Sequence, residues 1–471
     1  MSATFWTMAR VAEALRDQLA APAPAGAATF GSVSTDTRTI APGSLFVALR
    51  GENHDAHDHL ADAVAKGATG LVVSDAGRVA SPGVPVYVVR DTLHALGALG
   101  AYRRRAWGRR VVGVTGSNGK TSTKELLRAA LGARFRVHAT QGNLNNQIGV
   151  PLTLLALPDD AEIAVVEMGT SLPGEIAILR AIAAPDISVV TSIAEAHLEL
   201  LKSLDGVRRE KSSIFDGVPV AVVPATEPEL LPLARAKAKR VVVAGLGEGD
   251  VRATRWGRND TPGADRGGGW IEVEETRIEV PLRGEHNLRN AMLAVAVARE
   301  CGIPIADIAR GIAAMEQPKM RLAAEPLGKA TLINDAYNAN PGSTRAAIDL
   351  LDASANGRQR VLVLGTMREL GAGAAALHAE IAKRAVESSI DVVAGIGDFA
   401  TALDTLRSAR VVTAPSASLD ARVVTATDVD DLWPKLRAKL APDAVILLKA
   451  SRGVKLERLV PHLTAWAAET R

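Results

Sequence analysis

The segment that most constrains the fold is a glycine-rich turn between a predicted strand and a predicted helix. Residues 111–115 form a short, mainly apolar run, the next four residues include Gly116 and Gly119, and Lys120 opens a helical pattern. Glycines let backbone N–H groups approach a phosphate, and the N-terminus of a helix carries partial positive charge. The segment therefore predicts a phosphate-binding loop. The residues expected to contact a nucleotide are Gly116, Ser117, Asn118, Gly119, Lys120, Thr121 and Ser122.

Two side chains of this loop have defined roles in phosphate loops. Lys120 would reach the β- and γ-phosphates of ATP, and the Thr121 hydroxyl would ligate Mg²⁺. Val114 stands where the strict motif has glycine, so the loop is tighter than the usual one. The alternative is an ordinary strand–turn–helix connection that carries Gly-Lys-Thr by chance.

Strands and helices alternate along most of the chain, which is typical of parallel α/β sheets. After the loop strand at 111–115, strands are predicted near 134–138, 162–167, 187–191, 219–223 and 240–244. A second alternation follows Pro318, with strands near 331–335, 360–365, 391–395 and 444–448. Residues 255–269, rich in Gly, Asp and Arg, are interpreted as an exposed insertion or hairpin.

These patterns predict an α/β protein of three domains. A small N-terminal α/β domain is expected over residues 1–95, a central doubly wound parallel-sheet ATPase domain over 96–317, and a C-terminal Rossmann-like domain over 318–471. Aromatic residues make up only 3% of the chain, so the cores must consist of Ala, Val, Leu and Ile, which favours buried parallel strands.

Charge and cysteine content exclude several classes of protein. A net charge of +3 over 471 residues gives no reason to expect nucleic acid as a partner. The single cysteine, Cys301, excludes an internal disulfide framework and fits a reducing compartment. We find neither a secretory signal pattern nor the ~20 apolar residues of a membrane span, so the expected location is the cytoplasm without membrane insertion.

Three further polar residues follow predicted strands or lie on a nearby helix. Glu167 ends the third strand of the first alternation, His197 follows the fourth, and Lys211 lies on the next helix. Singly, such a histidine is more often structural and such a lysine more often solvated. Together they converge on one edge of the sheet beside the phosphate loop, where a hard cation takes oxygen ligands.

Several longer motifs carry a resemblance to a known family. They are Ser34-Thr-Asp-Thr-Arg38, the loop Thr115–Thr121, Gln141–Leu155, Gly284–Ala291, Asn334-Asp-Ala-Tyr-Asn-Ala-Asn-Pro341 and Leu448–Gly453. Over essentially the whole chain, these motifs resemble the Mur ligase family. Within it, segments 141–155 and 334–341 resemble the branch that adds D-alanyl-D-alanine to UDP-MurNAc-tripeptide.

The resemblance implies roles for individual residues. Glu167 and His197 would hold a second Mg²⁺, and Lys211 would be carbamylated and act as a further metal ligand. Asn287 and Asn290 match adenine-side positions, while Arg321 and Asp335 match residues that reach the γ-phosphate and the ribose. The expected catalytic residues are Lys120, Glu167, His197, Lys211 and Arg321. The N-terminal domain resembles the family's uridine-nucleotide-binding domain, in which Ser34, Asp36 and Arg38 would contact the nucleotide. The other expected substrate-binding residues are Asn143, Asn145, Asn146, Tyr337, Asn338 and Asn340.

The resemblance also implies a reaction and its partners. ATP would phosphorylate the terminal carboxylate of the tripeptide, and the amine of D-alanyl-D-alanine would attack the acyl phosphate, after closure of the C-terminal domain. The enzyme is expected to be a monomer. The alternatives are a ligase that adds one amino acid to the dipeptide nucleotide, a folylpolyglutamate-synthetase-like ligase, and an ATP-driven switch. The third residue of the tripeptide, lysine or diaminopimelate, stays open.

Overall fold

The computed structural model describes residues 5–80, 83–259, 268–316, 323–354, 357–409 and 419–469. The chain divides into two compact units. The first unit comprises residues 1–114, 135–170 and 174–188, and the second comprises 115–134, 171–173 and 189–471. None of the helices within the described ranges is long and apolar enough to cross a membrane.

The strands of the described ranges are short, as is usual for α/β proteins. In chain order they are β1 (Trp6–Thr7), β2 (Thr29–Phe30), β3 (Ser32–Ser34), β4 (Ser44–Val47), β5 (Ala68–Val73), β6 (Val86–Val88), β7 (Arg110–Thr115), β8 (Val137–Ala139), β9 (Ile163–Glu167), β10 (Ile187–Val190), β11 (Val220–Pro224), β12 (Arg240–Leu246), β13 (Val251–Ala253), β14 (Arg255–Asn259), β15 (Gly268–Val273), β16 (Thr276–Val280), β17 (Ala323–Leu327), β18 (Ala330–Asp335), β19 (Arg360–Leu364), β20 (Val392–Ile396), β21 (Val423–Ala426) and β22 (Val445–Lys449).

The α-helices lie between these strands. They are α1 (Met8–Ala14), α2 (Leu60–Ala65), α3 (Thr92–Trp107), α4 (Lys120–Gly132), α5 (Gly149–Leu155), α6 (Glu175–Ala183), α7 (Leu198–Leu201), α8 (Leu204–Ser212), α9 (Leu230–Lys237), α10 (Glu285–Glu300), α11 (Ile305–Ala313), α12 (Pro341–Ser354), α13 (Ala374–Glu387), α14 (Asp398–Ser408), α15 (Leu419–Arg422), α16 (Val429–Arg437) and α17 (Leu459–Glu469).

The first unit contains two groups of parallel strands. Strands β3, β4, β5 and β6 pair in that order, and β7, β9 and β8 pair in that order. Alternate residues of β4 enter different cores: Leu45 and Val47 pack with α1 and α3, whereas Phe46 packs with α2. Both faces of the sheet are therefore covered, which explains why β4 is apolar at successive positions.

Close helix packing in this unit depends on a glycine. A Cβ atom at Gly100 of α3 would lie 2.8 Å from the Cα of Pro151 in α5, so the two backbones approach within the space that a side chain would need. This contact fixes α5, and with it the Asn-rich segment that precedes α5.

The second unit begins with the phosphate loop and ends with a larger sheet. Its strands β11, β12 and β13 are parallel, and β14, β15 and β16 form a small antiparallel sheet. The C-terminal sheet has the order β17-β18-β22-β19-β20-β21, in which only the edge strand β17 is antiparallel. Helices cover both faces of this sheet over two separate apolar cores.

The predicted α/β class with parallel sheets is confirmed. Each predicted strand of the two alternations is present within three residues at each end. The predicted hairpin at 255–269 is present as the antiparallel pair β14 and β15, and its residues 260–267 lie outside the described ranges. Helix α3 runs unbroken through the predicted boundary at 95, and the boundary at 317 lies outside the described residues, so both boundaries stay predictions.

Candidate nucleotide-binding and catalytic site

The phosphate loop connects β7 to α4 and requires its two glycines. Gly116 and Gly119 have φ angles of +151° and +80°. A Cβ atom at Gly116 would lie 1.9 Å from Oγ1 of Thr191, and one at Gly119 would lie 2.8 Å from Nδ2 of Asn290. Side chains are thus excluded at both positions, and the loop backbone packs directly against neighbouring elements.

Hydrogen bonds from residues 191–194 fix the loop from one side. The N–H of Ser117 donates to the carbonyl of Ser192 at 2.8 Å, and the N–H of Asn118 donates to the Ser192 hydroxyl at 3.1 Å. The Ser117 hydroxyl donates to the carbonyl of Ala194 at 3.1 Å and accepts from its N–H at 2.9 Å. The loop conformation is therefore set by tertiary contacts before any phosphate binds.

Lys120 begins α4 and lies over the loop. Its ammonium donates to the carbonyls of Gly116 at 2.7 Å and Ser117 at 3.3 Å. Thr121 and Ser122 occupy the same first turn of α4, and Ser122 is buried. A cation at the N-terminus of a helix, where the helix dipole adds partial positive charge, forms a site for an anion.

Lys211 lies on α8 in an unusual environment for a lysine. Its side chain is fully buried, and Nζ has no hydrogen-bond partner among the described residues. Burial, together with the positive charge of Lys120, holds the pKa of Lys211 well below its usual value. Losing the proton therefore costs this amine less than it would cost an exposed lysine.

His197 has a carboxylate partner from the C-terminal part of the second unit. Its backbone is left-handed, with φ of +54°, and it immediately precedes α7. Its ring Nδ1 is hydrogen-bonded to a carboxylate oxygen of Glu369, and this bond lowers the pKa of Glu369. Because a carboxylate only accepts, Nδ1 carries the proton, which leaves Nε2 as the nitrogen that can bind a metal.

Glu167 lies in the first unit, at the end of β9, where it is buried. Its carboxylate accepts a hydrogen bond from the amide of Asn145 at 2.8 Å, and its N–H donates to the Thr140 hydroxyl at 3.0 Å. Asn146 caps the start of α5 by accepting the N–H of Gly149 at 2.9 Å. Two of the predicted substrate-binding asparagines thus hold local structure, while Asn143 is exposed.

The predicted uridine-nucleotide residues form a local network in the first unit. The carboxylate of Asp36 accepts the backbone N–H of Arg38 at 2.9 Å and its guanidinium at 2.7 Å. These bonds lower the pKa of Asp36 to about 2, so its charge is constant at neutral pH. The Ser34 hydroxyl donates to the Asp36 carbonyl at 3.3 Å. Arg38 is mostly exposed and available to an anionic ligand.

The predicted adenine-side residues lie on the first turns of α10. Asn290 donates to the side-chain oxygen of Asn287 at 3.1 Å, and Asn287 donates to the carbonyl of Arg283 at 2.7 Å. Asn290 also lies against Gly119, so α10 reaches the phosphate loop. The neighbouring His286 has its pKa lowered to about 4 by burial.

Asp335 ends β18 beside the buried Lys449 of β22. The two residues are register neighbours in parallel strands, and Nζ of Lys449 donates to the Asp335 carboxylate at 2.6 Å and to the Asn338 carbonyl at 2.7 Å. Tyr337 is half-buried, and Asn340 is buried at the start of α12. Arg321 lies outside the described residues.

Sequence reasoning assigned no role to Glu369 or Lys449. Lys449 could have been found, because it immediately follows the predicted strand 444–448, and the ends of parallel strands meet at one edge of a sheet. Glu369 carried no such signal, because its partner His197 is 172 residues away. Within the described ranges no group of three His, Cys, Asp or Glu side chains is placed to hold a metal ion, so the metal site stays a prediction.

The fold and the loop define a nucleotide-binding α/β protein with a phosphate loop. Three family descriptions match the chain: "Mur ligase family, catalytic domain" over residues 29–104, "Mur ligase middle domain" over 114–298, and "Mur ligase, glutamate ligase domain" over 320–452.

Individual relatives agree with this assignment. The UDP-N-acetylmuramoyl-tripeptide--D-alanyl-D-alanine ligase of Bacillus subtilis is 35% identical over 97% of this chain and 98% of its own. MurF from Acinetobacter baumannii is similar in structure, with a TM-score of 0.84, 30% identity and coverage of 98% of this chain and 99% of that one. MurF ligase from Thermotoga maritima, solved with ADP, has the same fold, with a TM-score of 0.79 and 24% identity over 93% of this chain and 98% of that one. The chain belongs to the Mur ligase family.

Proposed function

We propose that this protein is an ATP-dependent ligase that joins D-alanyl-D-alanine to UDP-MurNAc-tripeptide in peptidoglycan synthesis. The observation that carries the proposal is 35% identity to a relative of that name along almost the whole of both chains. Full-length similarity includes the segment before the phosphate loop, which neither an ATP-driven switch nor a folylpolyglutamate-type ligase would explain. We further propose three functional domains, a cytoplasmic location and a monomeric state.

The reaction requires activation of a carboxylate. An oxygen of the tripeptide's terminal carboxylate attacks the γ-phosphorus of ATP, and ADP leaves. The amine of D-alanyl-D-alanine then attacks the acyl carbon, loses a proton and displaces inorganic phosphate. Two anions meet in the first step, so positive charge at the loop lowers the barrier. Lys120 and the N-terminus of α4 supply that charge in this chain.

Lys120 would change its hydrogen-bond partners when ATP binds. It now bonds the carbonyls of Gly116 and Ser117, and it would exchange these partners for phosphate oxygens when ATP binds. Because the loop stays anchored to residues 191–194, this exchange needs only side-chain motion. The segment containing Arg321 and Asp335 would complete the site, as the family resemblance suggests.

The chain offers suitable ligands for Mg²⁺, which would neutralise phosphate charge during transfer. Thr121, Glu167 and His197 would hold the ions together with a carbamylated Lys211. The amine of Lys211 is buried and has no hydrogen-bond partner in the part of the chain that the structure describes. Its lowered pKa supports the modification, because only a neutral amine adds to carbon dioxide. The carbamate formed would be an anion beside the cationic Lys120, which would stabilise it.

We propose that the first unit binds the nucleotide substrate. The exposed guanidinium of Arg38, beside Asp36, suits a diphosphate or a uracil. Asn143 is also exposed, and it lies two residues before Asn145, whose amide donates to the Glu167 carboxylate. Tyr337 and Asn338 remain candidates for contact with the peptide.

Phosphate release tests the proposal. Purified protein would be incubated with ATP, Mg²⁺ and UDP-MurNAc-tripeptide, with and without D-alanyl-D-alanine. A ligase releases phosphate only when the dipeptide is present, whereas equal release without it would indicate an ATPase and contradict the proposal.

A further inference from the structure

A pair of asparagines joins the phosphate loop to the C-terminal part of the second unit. Nδ2 of Asn340 donates to Oδ1 of Asn118 at 2.7 Å, and Nδ2 of Asn118 donates to Oδ1 of Asn340 at 3.2 Å. Each amide therefore acts as donor and acceptor towards the other. A carboxamide carries a donor and an acceptor on one rigid group, so two carboxamides can satisfy each other in this way.

The orientation of the Asn340 amide is fixed independently of this pair. Its Oδ1 also accepts the N–H of Ser343 at 2.9 Å, so the oxygen must face the first turn of α12. The carbonyl of Asn340 accepts the hydroxyl and the N–H of Thr344 at 2.8 and 2.9 Å. Asn340 is 3% exposed. It is therefore the N-terminal cap of α12, and its amide is bonded to both Ser343 and Asn118.

Asn118 is held on its other side by the end of the neighbouring strand. Its N–H donates to the Ser192 hydroxyl, and its carbonyl accepts the hydroxyls of Thr191 and Ser192. Residues 191–192 thus fix the backbone of Asn118, and Asn340 at the start of α12 fixes its side chain. A Cβ atom at Gly342 would lie 3.5 Å from Nδ2 of Asn118, so α12 approaches the loop closely.

We propose that Asn340 is a positioning residue that sets the phosphate loop for nucleotide binding through its amide pair with Asn118. This inference rests on the proposed function, because it assumes that the loop binds ATP. A loop held in its binding conformation loses less entropy when the ligand arrives, so its affinity is higher. The affinity for nucleotide therefore depends on a residue 222 positions away in the sequence.

Asn340→Asp tests the pair with little change in shape. Aspartate keeps the acceptor for Ser343 and for the Asn118 amide, but it cannot donate to Oδ1 of Asn118 and places a charged oxygen opposite it. We expect the Kd of a non-hydrolysable ATP analogue, measured by calorimetry with Mg²⁺, to rise by roughly tenfold, as loss of a partly buried hydrogen bond implies.

Four further variants separate this effect from damage to α12. Ser343→Ala removes the hydroxyl that bonds the Asn340 backbone but leaves the amide pair, so it should lower thermal stability without changing the Kd. Asn118→Ala breaks the pair from the loop side and leaves the cap intact, so it should raise the Kd by a factor similar to that of Asn340→Ala. The double alanine variant should be no worse than the weaker-binding single variant, because the pair is already lost.

The outcomes distinguish this inference from the proposed function. Wild-type affinity in Asn340→Asp, or additive effects of the two alanine substitutions, would overturn the positioning role. If the wild-type protein itself failed to bind the analogue, the proposed function would fall instead. Weakened binding in Ser343→Ala equal to that in Asn340→Asp would assign the effect to the helix cap and would also overturn the inference.

Discussion

The phosphate loop follows β7, and the polar segment Ser34–Arg38 begins at the last residue of β3. Different kinds of hydrogen bond hold these two segments. The loop is fixed by residues 191–194 and by Asn340, far away in the sequence. The bonds within Ser34–Arg38 join residues two positions apart. The first segment is therefore set by tertiary structure and the second by its own sequence. Changes in the loop should act on ATP binding and phosphoryl transfer, and changes in the second segment should act on the affinity for UDP-MurNAc-tripeptide.

The largest effect is expected for Lys120→Ala. The substitution removes the cation from the point where charge develops during phosphoryl transfer, so kcat should fall by about 10²-fold or more. The measurement is dipeptide-dependent phosphate release, with thermal unfolding as a check of the fold. Near-normal turnover would show that Lys120 is not needed for phosphoryl transfer. It would also contradict the role in catalysis that we assign to the phosphate loop.

Lys211→Ala should cost about 10²-fold in activity, because a buried group beside the phosphates is lost. If Lys211 carries a carbamate, millimolar formate or acetate should restore part of the activity by occupying the vacated space. The exposed Lys383 offers a matched control, since Lys383→Ala should leave the rate unchanged. Full activity of Lys211→Ala without added carboxylate would show that the residue is not needed in the metal site.

Glu369→Ala should have a smaller effect that depends on metal concentration. Loss of the carboxylate frees Nδ1 of His197, and the ring is no longer held in one tautomer. We expect the Mg²⁺ concentration for half-maximal activity to rise about tenfold. The ¹⁵N shifts of the His197 ring should also change in metal-free protein.

Glu380 provides the control for Glu369. It is an exposed glutamate that pairs with Arg345 in the same part of the unit. Glu380→Ala should leave both the Mg²⁺ dependence and the His197 shifts unchanged. Wild-type values for Glu369→Ala in both measurements would show that the Glu369 contact does not orient the histidine.

The smallest effect is expected for Arg38→Ala. Because Arg38 is mostly exposed and bonded only to Asp36 within its segment, the KM for UDP-MurNAc-tripeptide should rise by roughly three- to tenfold while kcat is kept. The KM for ATP serves as the internal control and should not change. A fall in kcat with an unchanged KM for UDP-MurNAc-tripeptide would show that the Ser34–Arg38 segment acts on catalysis and not on substrate affinity.

Much of the fold could be predicted because its signals are local. Each buried strand is a short apolar run, and the loop between β7 and α4 is one continuous motif. The antiparallel edge strand β17 was not predicted, because its five residues contain Glu and Pro and lack an apolar pattern. Edge strands bury less surface, so their sequences are less constrained.

The candidate site was predicted less completely, because its contacts join distant segments. The pairs Asn118–Asn340 and His197–Glu369 each span more than 170 residues, and no spacing in one sequence encodes them. The same cause explains why the contacts of Asn340 were not predicted. The resemblance assigned this residue to substrate, and the structure places it in a helix cap with its amide bonded to Asn118. Its contact with substrate stays a prediction.

The most direct test of the central claim is the mass of the nucleotide product. The protein would receive ATP, Mg²⁺, UDP-MurNAc-tripeptide and an equimolar mixture of D-alanyl-D-alanine and single amino acids, and the products would be resolved by mass spectrometry. The account predicts one new nucleotide, heavier than UDP-MurNAc-tripeptide by the mass of D-alanyl-D-alanine less one water. It should form together with an equal amount of ADP. A product that carries a single added amino acid, or ADP without any new nucleotide, would contradict it.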